Sequence, residues 1–328
     1  MLNRDIQTVG LGLVKKDTDF VEINSTSDSV FRVGEKGVNA LFATGDKKVE
    51  FVSFDDGTLA YVPSALGYSA YYPVHPVSFQ KPLRAVLMDL DGTSVKSEEF
   101  WMSIIEETVA DALKNSKFQL EQADVPFVAG HSVSEHLSYC IEKYCPNLKL
   151  DDLRKIYNNK VSYELKEIME GRGRKNAFTP TEGLKDFLLT LKAKGIKIGL
   201  VTSGLYEKAI PEIISAFNTL NMGDPLDFYD AIITAGNAFR KGQMGNISEL
   251  AIKPHPWVYS ETGRMGLGVP FEERNSVIAI EDSGAGVCSA RLAGYYTVGL
   301  AGGNIVKSGT KDLCGMYINT FEELLTYI

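Results

Sequence analysis

Three short apolar runs in this chain each stop on a cluster of polar groups. The first reads Leu83-Arg84-Ala85-Val86-Leu87-Met88 and stops on Asp89-Leu90-Asp91-Gly92-Thr93. The second is Ile196-Lys197-Ile198-Gly199-Leu200-Val201, stopping on Thr202-Ser203-Gly204, and the third is Ser276-Val277-Ile278-Ala279-Ile280, stopping on Glu281-Asp282-Ser283-Gly284. Apolar runs of this length, closed by turn residues, have the pattern of strands buried on both faces of a parallel sheet. Between the first and second runs the period becomes helical. Phe100, Ile104, Thr108 and Ala112 recur four apart, with Trp101, Ile105, Val109 and Leu113 alongside. Further apolar faces follow at Leu137, Cys140, Ile141 and Tyr144, at Leu153, Ile156 and Tyr157, and less regularly at Leu165, Ile168 and Met169. No convincing strand pattern interrupts residues 95–176, so this stretch is expected to be a helical cap inserted after the first strand, placed to act as a lid.

From about residue 177 strands and helices alternate. Thr179-Pro180-Thr181-Glu182 reads as a helix start, with Leu184, Phe187, Leu188 and Leu191 on the buried face and Gly195 as the stop. A helix near 211–217, a strand at 231–234, a short helix to Arg291 closed by Gly294, and a strand at 296–300 follow. The last helix opens with a capping box, Thr320 to Glu323. Such alternation predicts an α/β fold: a doubly wound, Rossmann-like parallel sheet built from residues 83–94 and 177–328.

Residues 1–80 differ: β-branched and aromatic residues are broken by turn signals, as expected for a small β-rich unit. Val30-Phe31-Arg32-Val33 before Gly34 reads as strand-like, and residues 49–54 and 58–62, flanking Asp55-Asp56-Gly57, as a hairpin. The tyrosine- and proline-marked stretch 68–82 suits an extended linker. The aromatics of this region are better read as a core packed on the next domain than as a sugar or partner surface.

Composition narrows the possibilities. With 328 residues, 44% hydrophobic and 23% charged, the chain can bury a sizeable core. A net charge of −8 argues against a dedicated nucleic-acid surface, and no stretch approaches membrane-spanning length. Cys140, Cys145, Cys288 and Cys314 are scattered without a paired spacing, which fits reduced thiols in a cytoplasmic setting. The number of chains that assemble is not legible.

A parallel sheet brings its strand carboxyl ends to one edge, where ligands bind. Asp89, Asp91, Thr202, Ser203, Glu281 and Asp282 are therefore expected to converge. Crowded carboxylates repel one another unless a cation sits among them, and oxygen-only ligands favour Mg2+. Lys253, in Lys253-Pro254-His255-Pro256, supplies a point charge for a phosphate.

The ordered set Asp-Leu-Asp-Gly-Thr, Val-Thr-Ser-Gly, Lys-Pro-His-Pro-x-x-Tyr and Glu-Asp-Ser-x-Ala-Gly resembles the haloacid dehalogenase superfamily over residues 83–328. Within it, the likeness is to the branch holding β-phosphoglucomutase and phosphoglycolate-type phosphatases. The resemblance implies Asp89 as a nucleophile forming an aspartyl-phosphate and Asp91 as general acid/base. It implies Thr202, Ser203 and Lys253 as phosphate-binding groups. It implies Mg2+ held by Asp89, the Asp91 carbonyl, Asp282 and Glu281. Members that cleave carbon–halogen bonds lack the second aspartate, so Asp91 points to phosphoryl transfer.

In the mutase the cap carries a histidine and a basic pair around a Gly-x-Ser loop. Here the corresponding positions read Trp101 and Val128-Ala129-Gly130-His131-Ser132-Val133. Hydrolysis of a small phosphorylated metabolite, such as a sugar phosphate, is therefore favoured over isomerisation. His131 or His136 could replace part of the missing charge, and Arg240 or Lys241, in the long 235–252 connection, could reach a distal anion; structural or solvated roles are the commoner outcome for such residues. A reading of another class makes the chain a binding or scaffold protein with a retired catalytic domain, against which the intact Asp89, Asp91, Lys253 and Asp282 weigh.

Overall fold

Alternation of side chains decides how the first 80 residues pack. The structure, a computed structural model, describes residues 2–65, 68–124, 133–174, 177–236 and 251–328. A short hairpin of β1 (Ile6–Thr8) and β2 (Gly12–Val14) comes first. Then β3 (Val21–Glu22), β4 (Ala40–Ala43), β5 (Glu50–Ser53), β6 (Thr58–Ala65) and β7 (Tyr68–Pro73) form an antiparallel sheet in sequence order. The expected hairpin forms, with Ser53 opposite Thr58 and the Phe54 N–H donating to the Gly57 carbonyl. Successive residues point to opposite faces. Phe42 and Phe51 therefore join Phe20 on one face, where they share a core with Val287, Cys288, Leu292, Ile305 and Leu313. Leu41 and Val52 form a second cluster on the other face with Phe31 and Tyr71 packed against it. The aromatics of this region are thus largely core.

Two sequence expectations change here. Residues 30–33 make no strand; Arg32 alone bridges to Ser25, and Phe31 meets Phe54 and Tyr71 edge-on at 5.7 and 5.3 Å. Tyr68–Pro73, expected as linker, is the last strand, because Tyr71 stacks on Tyr61 across the ladder at 4.6 Å while Tyr72 faces the shared core.

The apolar run at residue 83 becomes β8 (Ala85–Asp89), buried throughout. It is followed by β9 (Val95–Lys96), β10 (Thr179–Pro180), β11 (Lys197–Val201), β12 (Ala231–Ile233), β13 (Val277–Glu281), β14 (Tyr296–Leu300) and β15 (Met316–Ile318). Among the described residues six of these form one parallel sheet in the order β12-β11-β8-β13-β14-β15. This is the predicted doubly wound sheet, with one strand, β15, that the sequence reading did not separate from the closing helix.

Helix starts were less legible. Thr179–Pro180 pairs with β9, so the following helix begins only at Leu184, after Gly183 at φ +76°. The helix expected near 211–217 runs over Tyr206–Leu220 and carries Pro211 inside it; the Tyr206 N–H is taken by the Gly236 carbonyl. The predicted capping box is displaced by one residue: Glu323 accepts from the Asn319 backbone and side chain, and Thr320 makes no side-chain cap bond.

The chain divides into two compact units. One comprises residues 1–94, 181–209 and 222–328 and holds both larger sheets; the other comprises 95–180 and 210–221. The second contains the helices Glu98–Ala112, Val133–Tyr144 and Leu150–Met169. In it the buried Asp124 accepts from Lys143 at 2.6 Å and from the hydroxyls of Tyr139 and Tyr144. Among the described residues no helix is long and apolar enough to cross a membrane.

Because Phe42 is fully buried and stacked on Phe51 at 5.2 Å, Phe42→Ala is expected to lower global stability by about 3–5 kcal/mol. Urea unfolding followed by circular dichroism measures this, and a loss below about 1 kcal/mol would show that the antiparallel sheet adds little to the shared core.

Candidate active site

Register places the chemistry-bearing residues. Val201 lies opposite Asp89 and Ile280 opposite Met88, so the carboxyl ends of β11, β8 and β13 are adjacent. Asp89 ends β8, Thr202 follows β11, and Glu281 ends β13 with Asp282 next in the chain. All four are buried. Carboxylate oxygens of Asp89, Glu281 and Asp282 lie within 4.8 Å of one another. Lys253 enters the same space, its ammonium contacting Asp89 Oδ1 and lying 2.6 Å from Glu281 Oε1.

The surroundings hold these groups in place. The Tyr259 hydroxyl donates to Glu281 Oε1 at 2.7 Å, and the Ser283 hydroxyl to Glu281 Oε2 at 3.0 Å. Thr93 donates to Asp282 Oδ1 at 3.2 Å, and Ser94 to the Asp89 carbonyl at 2.6 Å. Gly92, at φ +85°, lies so close to Asp282 that a Cβ would come within 2.2 Å of its carboxylate. Only glycine fits there, on conformation and on space. Gly303 presses on Asp282 from another direction, with the same 2.2 Å clearance.

Among the described residues three buried carboxylates face one ammonium, and the imbalance shows in their protonation. Burial, then the Glu281 charge, pushes the Asp89 carboxyl well above the usual carboxylate range, with Lys253 pulling it back. The same two causes raise Asp282 to about 7, against the hydrogen bond from Thr93 and the charge of Lys253. Burial opposes the charge on Lys253, but Asp89 and Glu281 outweigh it and keep the ammonium protonated well above its usual range. An oxygen-only cluster with an excess of negative charge fits a hard divalent cation such as Mg2+.

The convergence expected of four carboxylates is met by three side chains. Asp91 is only partly buried, its side chain 35% exposed, and its Oδ1 lies 3.4 Å from Lys208 Nζ. Its expected metal contact, through the backbone carbonyl, does not require its side chain to join the cluster. Ser203 Oγ accepts the Lys253 N–H at 3.1 Å, and Thr202 Oγ1 the Gly204 N–H at 2.9 Å. Trp101 belongs to the helical unit, where its ring packs on Phe100 and Phe178 at 5.0 and 6.0 Å. His136 is buried in the Val133–Tyr144 helix. Gly130, His131, Arg240 and Lys241 lie outside the described residues. Sequence reasoning gave no role to Tyr259, Thr93 or Lys208. Tyr259 did stand in the Lys-Pro-His-Pro-x-x-Tyr pattern, but nothing local signalled that its hydroxyl would meet Glu281.

Comparison with known proteins gives a consistent picture. The family described as haloacid dehalogenase-like hydrolase matches residues 86–300. No curated protein matches the chain. Solved structures similar to it include CbbY from Rhodobacter sphaeroides, crystallised as a mutant with xylulose-(1,5)bisphosphate (18% identity, 74% of this chain and 96% of that one, TM-score 0.51). A candidate beta-phosphoglucomutase from Thermotoga maritima aligns at 18% identity over 75% of this chain and 99% of its own, TM-score 0.52. A predicted phosphoglycolate phosphatase from Haemophilus somnus aligns at 18% over 75% and 97%, TM-score 0.54. At these identities the likeness is one of fold.

The raised Asp282 carboxyl has a thermodynamic consequence. With its ordinary value at 3.8 and the folded value near 7, the folded protein holds a proton across that window that the unfolded chain has released. This group's contribution to stability therefore falls as pH rises from about 4 to 7. A cation among the carboxylates offsets that loss and binds better once the proton has left. Millimolar Mg2+ is expected to raise the thermal midpoint more at about pH 8 than at about pH 5, with chelator reversing the gain. Equal shifts at both pH values in differential scanning fluorimetry would count against a cation at this cluster.

Proposed function

We propose a phosphatase from one premise: this chain belongs to the haloacid dehalogenase-like hydrolase family. Its reaction is the Mg2+-dependent hydrolysis of a small phosphate monoester, a sugar phosphate or similar metabolite, through an aspartyl-phosphate. The observation that carries this reading is the contact of Lys253 with Asp89 inside a buried acidic cluster at the sheet edge. A carboxylate intended only for structure would not need carboxylate neighbours on the adjacent strand and a lysine brought in from a separate segment.

Asp89 Oδ attacks phosphorus in line, forming an O–P bond as the bond to the leaving alcohol breaks. Asp91 gives its proton to the departing oxygen; as a carboxylate it then takes a proton from the water that attacks phosphorus and releases Asp89. Lys253 Nζ, the Thr202 hydroxyl and the Ser203 N–H hold the phosphoryl oxygens and stabilise the charge developing on them. Asp89, Glu281, Asp282 and the Asp91 carbonyl would hold Mg2+, which when bound neutralises charge between nucleophile and phosphate. Partial exposure leaves Asp91 accessible to a leaving group and to water.

Asp89→Asn is expected to lower turnover of an aryl phosphate by at least about a thousandfold while circular dichroism and cooperative melting persist. Retained turnover would remove the covalent step. Lys253→Met should lower kcat/KM by about a hundredfold. With β-glucose 1-phosphate the expected product is free phosphate; glucose 6-phosphate would identify a mutase, and no reaction of the wild-type protein with any of a panel of phosphate esters in Mg2+ would favour a binding role.

A further inference from the structure

The family match begins at Val86, so the antiparallel sheet before it has no assigned part in the chemistry. One side chain of that sheet nevertheless reaches the segment that carries Lys253. The Tyr72 hydroxyl, from β7, lies 2.7 Å from His255 Nδ1, and the two rings meet edge-on at 5.7 Å. Trp257 Nε1 donates to the same hydroxyl at 3.1 Å. An indole N–H can only donate, so the phenolic oxygen accepts from it. Burial raises the Tyr72 phenol above its ordinary range, so it keeps its own proton. The arrangement that satisfies both groups has Tyr72 O–H donating to His255 Nδ1, with the imidazole proton on Nε2.

His255 is 1% exposed, and its backbone N–H closes a turn on the Ile252 carbonyl at 3.1 Å. Lys253 and Pro254 are the middle of that turn. Three side chains fix it from outside: Ser203 Oγ accepts the Lys253 N–H, Ser289 Oγ donates to the His255 carbonyl at 2.5 Å, and Tyr72 holds the imidazole. Ser203 and Ser289 come from the family-matched region. Tyr72 does not.

We propose that Tyr72 is a positioning residue: through His255 it fixes the turn that aims the Lys253 ammonium, which makes the antiparallel sheet part of the catalytic apparatus. The proposal rests on the phosphatase reading. An error of about an ångström in an electrostatic group costs on the order of a hundredfold in rate, so a partly loosened turn is expected to cost about tenfold.

The experiment is a double-mutant cycle on the full chain in Mg2+, below the melting range of every variant. Tyr72→Phe keeps the ring and removes only the hydroxyl. It is expected to lower kcat/KM for an aryl phosphate about tenfold and to weaken orthophosphate, followed as a competitive inhibitor and by calorimetry, by a similar factor. In the Lys253→Met background the same change should have no further effect on orthophosphate affinity, because the group it aims is gone. His255→Asn, which keeps an acceptor near the Nδ1 position, should recover part of what His255→Leu loses. The inference is overturned if Tyr72→Phe matches wild type within about twofold, or if it weakens orthophosphate equally with and without Lys253. Wild-type protein that neither hydrolyses phosphate esters nor binds orthophosphate would instead sink the phosphatase reading beneath it.

Discussion

A lysine ammonium pressed between two buried carboxylates, with a third close by, is the constraint on which the rest of the site depends. Lys253, Asp89 and Glu281 have side-chain exposures of 8%, 7% and 0%, so water cannot screen them. Removing one partner of such a buried pair typically costs about 3–5 kcal/mol, because the other charge is left uncompensated. The structure answers with hydrogen bonds from Tyr259, Ser283 and Thr93 and with glycine at positions 92 and 303, where any side chain would displace Asp282. An acidic excess persists after all of these. That excess, among the described residues, makes the site suited to a hard divalent cation.

The parallel sheet delivers this crowding at small cost in chain length. Because β8 is hydrogen-bonded to β11 on one side and β13 on the other, three strand ends separated by long stretches of sequence emerge side by side. The interior of the sheet supplies low dielectric behind the charges, and the turns beyond it supply donors. The antiparallel sheet joins the same body through Phe20, Phe42 and Phe51 packed against the helix Gly284–Leu292, which starts immediately beyond the acidic pair of β13. A region outside the family match thus braces an element that leads directly from the site.

Legibility varied with the kind of signal. The hairpin across Asp55-Asp56-Gly57 was readable because turn chemistry is local. Tyr68–Pro73 reads as linker because Pro73, Pro76 and Pro82 cluster at and beyond its end, although its tyrosines suit a strand; the ladder to β6, with Tyr71 stacked on Tyr61, decides for the strand. The helix start at Thr179-Pro180 failed for a similar reason: the two-residue ladder with Val95–Lys96 outweighs local capping preference. Trp101 reads in the sequence as a substrate-facing cap position, yet its ring packs with Phe100 and Phe178 inside its own unit.

The order of residues along the chain sets which of them end the buried strands, since an apolar run followed by Asp, Thr or Glu-Asp has one economical placement in a parallel sheet. It determined the chemical kinds present: acids, a hydroxyl and a lysine. Tertiary structure alone decided that Asp91 lies beside Lys208 while Asp89, Glu281 and Asp282 share one small volume, and that Tyr259 and Tyr72 reach Glu281 and His255. The reason is one of range. Period and turn chemistry act over a few residues and are written in the chain, whereas the hydrogen bond from Tyr72 to His255 joins positions 183 residues apart and exists only once both sheets have packed on the same helix.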